Sequence, residues 1–478
     1  MTALDTPIRT TTTTTTTRPP TTVAAESTSM SFSGLESLQK GVIHTDISPK
    51  IARWMVGLFI FGLAIVPITQ LMVEIVSPHR HVQELDLFRA PQIDARVGEG
   101  RLHHSARVLK AWVNKEHLAK FEDDLKEESI FRHVIQPRVQ LGITKYLGFG
   151  NDAAVVAREK FFRPNGWLFY QLGIDYLAGP GVLDPHFMKH RERRMFDDGE
   201  EDVCADPRKA IIQFHKDCQA AGVHLVFVPL PVKPAIQPAE LEGRDLTSSR
   251  PVAQNRDYDR FIADLRAAGV DVFDQFVPKT VEPDAEPLFL EQDTHWTPQW
   301  MESVAVQLAD HIKQQVNLPA PLYPFSAILE ETKAARVGDI VDTLHLSGNQ
   351  KLFPPQEVTI HRVLDANTRQ PRPWREDSDV LFIGDSFSNI YSAAQMGWGD
   401  SAGFPYQLSR HLGRDIDALI KNGGAASELR ENLAERPQPL KEKRVVIWEV
   451  AAHELTASNW KVLDMSSPQA APPPARKP

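Results

Sequence analysis

Apolar and polar positions change their pattern twice along the chain. Residues 54–76, WMVGLFIFGLAIVPITQLMVEIV, carry no charge until Glu74 and are apolar on every face of a helix. At 1.5 Å per residue such a helix spans roughly 35 Å, enough to cross a bilayer. Beyond about residue 150 the pattern alternates. Strand-like runs at 223–228 and 270–273 are interleaved with amphipathic helices at 207–221 and 254–268, the second with Tyr258, Phe261, Ile262 and Leu265 on one face. Further apolar runs at 287–290, 380–383, 416–420 and 445–450 are each bounded by Gly, Asp or a helical stretch. This alternation predicts an α/β fold, a parallel sheet with helices on both faces, preceded by one transmembrane helix.

The regions between follow from composition. A threonine run at 10–17 and a Ser/Thr-rich stretch to about residue 37 offer too little apolar surface to offset ordering entropy, so residues 1–50 are expected to be a largely disordered tail. Residues 77–150 are rich in charge and histidine, with a helical stretch at 104–128, and are expected to be a connector. The α/β domain is expected over 151–465, interrupted at 317–375 by a Pro-rich insertion or lid with one possible strand at 358–363. Residues 466–478, ending APPPARKP, predict a second disordered tail. Some fifty residues precede the apolar run and no small-x-small cleavage site follows it, so it reads as an uncleaved signal anchor. Lys40, Lys50 and Arg53 before it balance Arg80, Arg89 and Arg96 after it, so charge leaves the orientation open.

Net charge narrows the partners: 53 Lys and Arg against 62 Asp and Glu, a balance of -9, argue against a nucleic-acid-coating protein. Cys204 and Cys218 are the only cysteines and flank a predicted helix that would hold them roughly 20 Å apart, too far for a bridge. They also provide no Cys-based zinc site.

In such sheets chemistry gathers at the carboxyl ends of the strands. After the run at 287–290 comes QDTHWTP, 292–298, in which Asp293 could hold one ring nitrogen of His295 and leave the other free as a base. Two competing roles stay open: Asp293 satisfying turn amides only, or the pair serving as two metal ligands, although no third ligand lies at a recognisable spacing. The run at 380–383 leads into GDSFS, 384–388, where Ser386 stands at the mouth of a helix with its amide able to face an oxyanion; an N-cap role for Asp385 or Ser386 competes. Asn422-Gly423-Gly424 after 416–420 could supply a second backbone donor, or merely a helix-entry turn.

Together GWLFY at 166–170, PVKPAIQP at 231–238, DTHWTP at 293–298, GDSFS at 384–388 and IWEVAAHEL at 447–455 resemble the SGNH-hydrolase-like proteins of the alginate O-acetyltransferase family, periplasmic enzymes that acetylate exopolysaccharides. The resemblance covers about residues 155–455. It implies a three-layer α/β/α domain and a triad of Asp293, His295 and Ser386, in an order that resembles a circular permutation of ordinary SGNH esterases. Ser386 would carry the acetyl group, His295 would move the proton, Asp293 would orient the ring, and amides at Ser386 and Gly424 would form the oxyanion site. Trp296 and Tyr391 are candidates to stack on sugar rings, with core packing the favoured role for each. No metal or bound cofactor is expected. The implied acceptor is an alginate-like polysaccharide.

The implied location is the inner membrane, single-pass, with the catalytic domain periplasmic. Because acetyl-CoA is cytoplasmic, a multispanning membrane-bound O-acyltransferase is the implied acetyl donor. A polysaccharide deacetylase or esterase, and a non-catalytic polysaccharide-binding assembly protein, are the alternatives. With the last strand expected close to the end of this sequence, the carbohydrate-binding module of some family members is not expected here. The Thr-rich tail has no counterpart there.

Overall fold

The computed structural model describes residues 48–76, 101–112, 131–159, 163–283 and 285–465. The expected tail up to residue 47, the expected tail at 466–478, and residues 77–100 and 113–130 of the connector lie outside them. Two compact units divide between Leu85 and Asp86.

In the first unit, helix α1 (Pro49–Val76) runs for 28 residues. The side chains at 63, 66, 67, 73, 74 and 76 lie outside the described residues. Among the described residues no helix is long and apolar enough to cross a membrane. The run expected at 54–76 is therefore helical, but the structure does not carry it as a membrane span.

In the second unit, helices at Arg101–Trp112 and Gln136–Leu147 occupy parts of the connector. The hairpin β1 (Ala154–Arg158) and β2 (Pro164–Tyr170) follows, antiparallel and separate from the main sheet. The main sheet holds five parallel strands: β3 (His224–Leu230), β4 (Asp271–Val272), β7 (Val380–Gly384), β8 (Asp417–Ile420) and β9 (Val445–Ala451), in spatial order β8-β7-β9-β3-β4. A second hairpin, β5 (Ala327–Arg336) with β6 (Gln356–Asp365), occupies the insertion.

Because successive side chains of a strand face opposite ways, each apolar strand builds two cores. Leu225, Phe227, Leu381, Ile383, Val446 and Trp448 face a layer made by α2 (Pro207–Ala220), α3 (Tyr258–Ala267) and α8 (Glu428–Ala434). Val226, Val228, Val380, Phe382, Val445 and Ile447 face α4 (Pro298–Gln315) and α7 (Phe404–Leu412). The result is three layers, α/β/α. The helices start where the sequence places caps: Asp206 accepts from the Arg208 amide at the head of α2, with Pro207 in the first turn. Burial of Trp300, Met301, Val304, Leu308 and Ile312 at helical spacing seats α4 on the sheet.

Two expected elements differ. The run at 287–290 joins no sheet and makes only an isolated bridge, Phe289 with Trp296. Its amides are satisfied locally, Phe289 N–H by Gln237 Oε1 at 2.7 Å and Leu290 N–H by the His295 carbonyl at 3.0 Å. The insertion shows one strand in its sequence and two in the structure, because half-exposed β5 carries little apolar signal.

From β3 the chain steps through α3 to β4 on one side, and from β7 through α7 to β8 on the other, with β9 between. The carboxyl ends of β7, β9 and β3 therefore border a topological switch point.

Candidate active site

The DTHW segment is a tight loop closed by the Phe289–Trp296 bridge and by the Thr297 amide donating to the Leu288 carbonyl at 2.8 Å. Inside it Asp293 and His295 are almost fully buried, 1% and 2% exposed. His295 Nδ1 lies 2.6 Å from Asp293 Oδ1, which also accepts the His295 amide at 3.2 Å. Asp293 Oδ2 accepts the Asp339 amide and Trp398 Nε1–H, both at 3.0 Å. Sequence reasoning missed Asp339 and Trp398. Asp339 opens the short helix α5 (Asp339–Thr343), which the insertion carries to the loop. Its carboxylate accepts the Thr294 amide at 2.7 Å and stands 3.7 Å from His295 Nδ1. The preceding Gly338 allows this approach, since a Cβ there would lie 2.2 Å from the Gln292 carbonyl oxygen.

The electrostatics follow from this geometry. Burial alone would raise the Asp293 carboxyl, but the bond and charge of His295, with the Asp339 and Trp398 donors, hold it well below the usual range. Burial would lower His295, and the bond and charge of Asp293 outweigh it, so the imidazole is raised. Burial and the Asp293 charge push the Asp339 carboxyl up to about 7, although its side chain is 36% exposed. His295 Nε2 is buried without a hydrogen-bond partner, and its ring packs edge-on against Phe387, centroids 4.8 Å apart.

Asp293, His295 and Asp339 each offer an atom within 4.8 Å of the others and could together hold a metal ion, the third ligand being one that spacing could not reveal. Both Asp293 oxygens, however, already accept N–H donors, which leaves them poorly disposed toward a cation. The arrangement is better matched to an oriented base.

The second motif forms the turn from β7 into the short helix α6 (Ser386–Asn389). Asp385 Oδ1 caps the Phe387 amide at 2.9 Å, and Oδ2 accepts the Ala451 amide at the end of β9 at 3.1 Å. Ser386 is half-buried, and the cap leaves its own amide uncommitted. Beneath the turn lies Glu449 of β9, fully buried, with Oε2 accepting the Asp385 amide at 3.1 Å and the Ser388 hydroxyl at 2.6 Å. Burial and the nearby Asp385 carboxyl raise it well above the usual range, which favours its neutral form. A Cβ at Gly384 would lie 2.7 Å from Glu449 Oε2, which explains the glycine.

Three sequence-derived assignments are corrected. The Gly424 amide donates to the Lys421 carbonyl at 3.0 Å and closes a turn toward α8, so it is not a free oxyanion donor. Asn422, two residues earlier, stands level with Ser386, because Ile420 pairs with Gly384 in the parallel register. Its Oδ1 accepts from Asn389 Nδ2 at 2.9 Å. Trp296 and Tyr391 are fully buried and offer no surface to a sugar. Trp296 Nε1–H donates to the Phe387 carbonyl at 3.0 Å and Tyr391 O–H to the Trp296 carbonyl at 2.6 Å, so both brace the two motif loops against each other.

Residues 187–452, more than half of the chain, match the family model of the SGNH hydrolase-like domain, acetyltransferase AlgX. The chain belongs to the AlgX SGNH-like family. The AlgX-family match runs from before β3 to the end of β9 and takes in Asp293, His295, Ser386 and Glu449. Among curated relatives, the probable alginate O-acetylase AlgJ of Pseudomonas aeruginosa is 27% identical over 239 residues, 49% of this chain and 60% of that protein. The protein of the same description from Azotobacter vinelandii is 27% identical over 249 residues, 50% of this chain and 61% of its own length. The match thus spans about three fifths of these relatives. Among solved structures, the O-acetyltransferase domain of Pseudomonas putida AlgJ aligns with a TM-score of 0.45 at 21% identity, covering 64% of this chain and 93% of that one.

Proposed function

We propose that this protein is a polysaccharide O-acetyltransferase acting through an acetyl-serine intermediate. The observation that carries the reading is the buried Asp293–His295 pair, whose Nε2 is unpartnered, beside the turn that presents Ser386. In this reading Nε2 takes the Ser386 hydroxyl proton as Oγ attacks the acetyl carbonyl, and the imidazolium returns it to the leaving group. The sugar hydroxyl then gives its proton to His295 and attacks the acyl carbon, Ser386 regains the proton, and the acetyl ester passes to the sugar. The Ser386 amide, with the Asn422 side chain in place of Gly424, is the proposed donor set for the oxyanion. The acceptor class rests on the names of the relatives, probable alginate O-acetylases.

Transfer and hydrolysis share the acyl-serine, so its partition decides between acetyltransferase and esterase. Water stands at about 55 M, and transfer requires an acceptor hydroxyl held at a higher effective molarity. The full chain, given an activated acetyl ester and uronate oligomers, is expected to add acetyl mass to the oligomer by mass spectrometry. Rapid deacetylation of finished polymer with no acetyl gain on any acceptor would make it an esterase.

The location belongs to the same proposal: the apolar run 54–76, six of whose side chains lie outside the described residues, as a single-pass anchor in the inner membrane, with a periplasmic catalytic domain and a multispanning acyl-donor partner. Trp54, Leu58, Phe59 and Phe61 of α1 are all more than 60% exposed, which supports a lipid environment for the helix. A reporter active only outside the cytoplasm, fused after Pro478, is expected to be active; activity of a cytoplasm-only reporter at that position would reverse the orientation.

A further inference from the structure

Lys233, in the PVKPAIQP segment, is 3% exposed and makes no ion pair among the described residues. Its Nζ instead donates to three backbone carbonyls: Leu168 at 2.6 Å, Glu291 at 2.9 Å and Asp293 at 3.1 Å. It also sits over two rings, 5.1 Å from the Trp167 centroid and 4.9 Å from that of Phe169. The Leu168 amide donates to the Glu291 carbonyl at 2.9 Å, so hairpin and loop are tied twice at one point. Three acceptors match the three N–H donors of an ammonium. A neutral amine has two donors and would turn its lone pair toward a carbonyl oxygen. Burial lowers the ammonium to about 7, opposed by the carboxylates that face it, Asp293, Asp339, Glu291 and Glu240.

A buried cation without an anion partner is costly, and a neutral residue of the same length would pack there without that cost. What the ammonium adds is a three-pronged hold on the loop that carries Asp293 and His295. We infer that Lys233 is a positioning residue of the acetyl-transfer site, fixing the 291–295 loop through the Glu291 and Asp293 carbonyls so that the Asp293–His295 pair keeps its register with Ser386. It touches no reacting atom. This inference rests on the triad reading above. It also gives GWLFY and PVKPAIQP a role in the site: the first supplies a carbonyl and two rings, the second the cation they hold.

The test uses the detergent-solubilised full chain with 4-nitrophenyl acetate as the probe, and Ser386→Ala as the control. Lys233→Met is expected to lower kcat by about a hundredfold, as a displacement near 1 Å of a catalytic group does, with KM changed less than about threefold. Its acidic limb of kcat/KM is expected to move to higher pH, because losing a cation near Asp293 and Asp339 favours the imidazolium of His295, which also faces Asp385. A purely structural lysine would lower the active fraction and leave kcat per active site, counted from the acetyl-enzyme burst, unchanged. Trp167→Leu, which leaves all three carbonyls, is expected to lower kcat about threefold to tenfold. A folded Lys233→Met protein with unchanged kcat and pH profile overturns the inference, as does an unchanged Trp167→Leu enzyme should Lys233→Met not fold. Wild-type turnover no faster than Ser386→Ala would instead overturn the serine-acyl reading, and the inference with it.

Discussion

Alanine at Ser386, His295 or Asp293 is expected to lower acetyl transfer by about a thousandfold or more, read as acetyl mass gained by an oligosaccharide acceptor, with the fold retained. Ser386 stands half-buried on the turn that follows β7, and the loop holding the other two is closed by its own backbone bonds. In the proposed mechanism the three form one proton-transfer unit, so the double and triple variants are expected to be no worse than the worst single one. Additive losses, or an active Ser386→Ala protein, would remove the acyl-serine from the mechanism and favour a binding role.

The pH profile carries a sign that checks the same geometry. His295 must be neutral to act as a base, and Asp293 raises its proton affinity, so kcat/KM should fall as pH drops through a value above the ordinary histidine range. In Asp293→Ala the raising partner is gone while burial, which lowers histidine, remains. The small residual activity should then persist to lower pH. A residual acidic limb at or above that of the wild type would mean that Asp293 is not the group that sets the base.

The second large effect is on stability. Glu449→Leu is expected to lower the melting temperature by roughly 5–15 °C, because it leaves the Asp385 amide and the Ser388 hydroxyl without an acceptor, at about 1–3 kcal/mol each. Glu449→Gln keeps an oxygen in the same place and should retain most of the fold. The pH dependence tests whether Glu449 is protonated in the fold. The Glu449 carboxyl is raised in the folded state, so its proton is bound there and lost on unfolding at neutral pH. That contribution to stability is complete below the ordinary glutamate pKa, near 4.3, and declines as pH rises toward the raised folded value. Glutamine has no such decline, so the variant should gain on the wild type between pH 5 and pH 8. Calorimetry that finds the difference constant over that range would show that Glu449 is ionised in the fold and that the acid beneath the turn is a charged partner.

How far the site could be read in advance depended on sequence distance. Asp293 and His295 are two residues apart, and a tight turn forces such neighbours together, so their pairing was legible. Ser386 was legible because a strand ending in glycine and followed by a capping aspartate exposes the next residue. For Trp296 and Tyr391 core packing was the favoured role over sugar stacking, and both rings are fully buried; an aromatic residue beside such a motif looks the same in sequence whether its ring faces solvent or the core. Gly424 misled for a related reason: glycine marks a close turn, and only the turn's own bond to Lys421 reveals that its amide is taken.

What the sequence by itself determined is the set of parts made by local rules. Apolar runs bounded by turns, all but that at 287–290, became buried parallel strands, capped amphipathic stretches became helices, and residues 54–76 became helical. Tertiary structure alone decided the partners of the buried polar groups. Trp398 reaches Asp293 across 105 residues, Asp339 across 46, Lys233 across 60, and Glu449 reaches Ser388 across 61. None of these pairs has a local signature. In the unfolded chain each group is satisfied by water, and it acquires a specific partner only when the sheet edge, the insertion and the hairpin close around it and exclude that water.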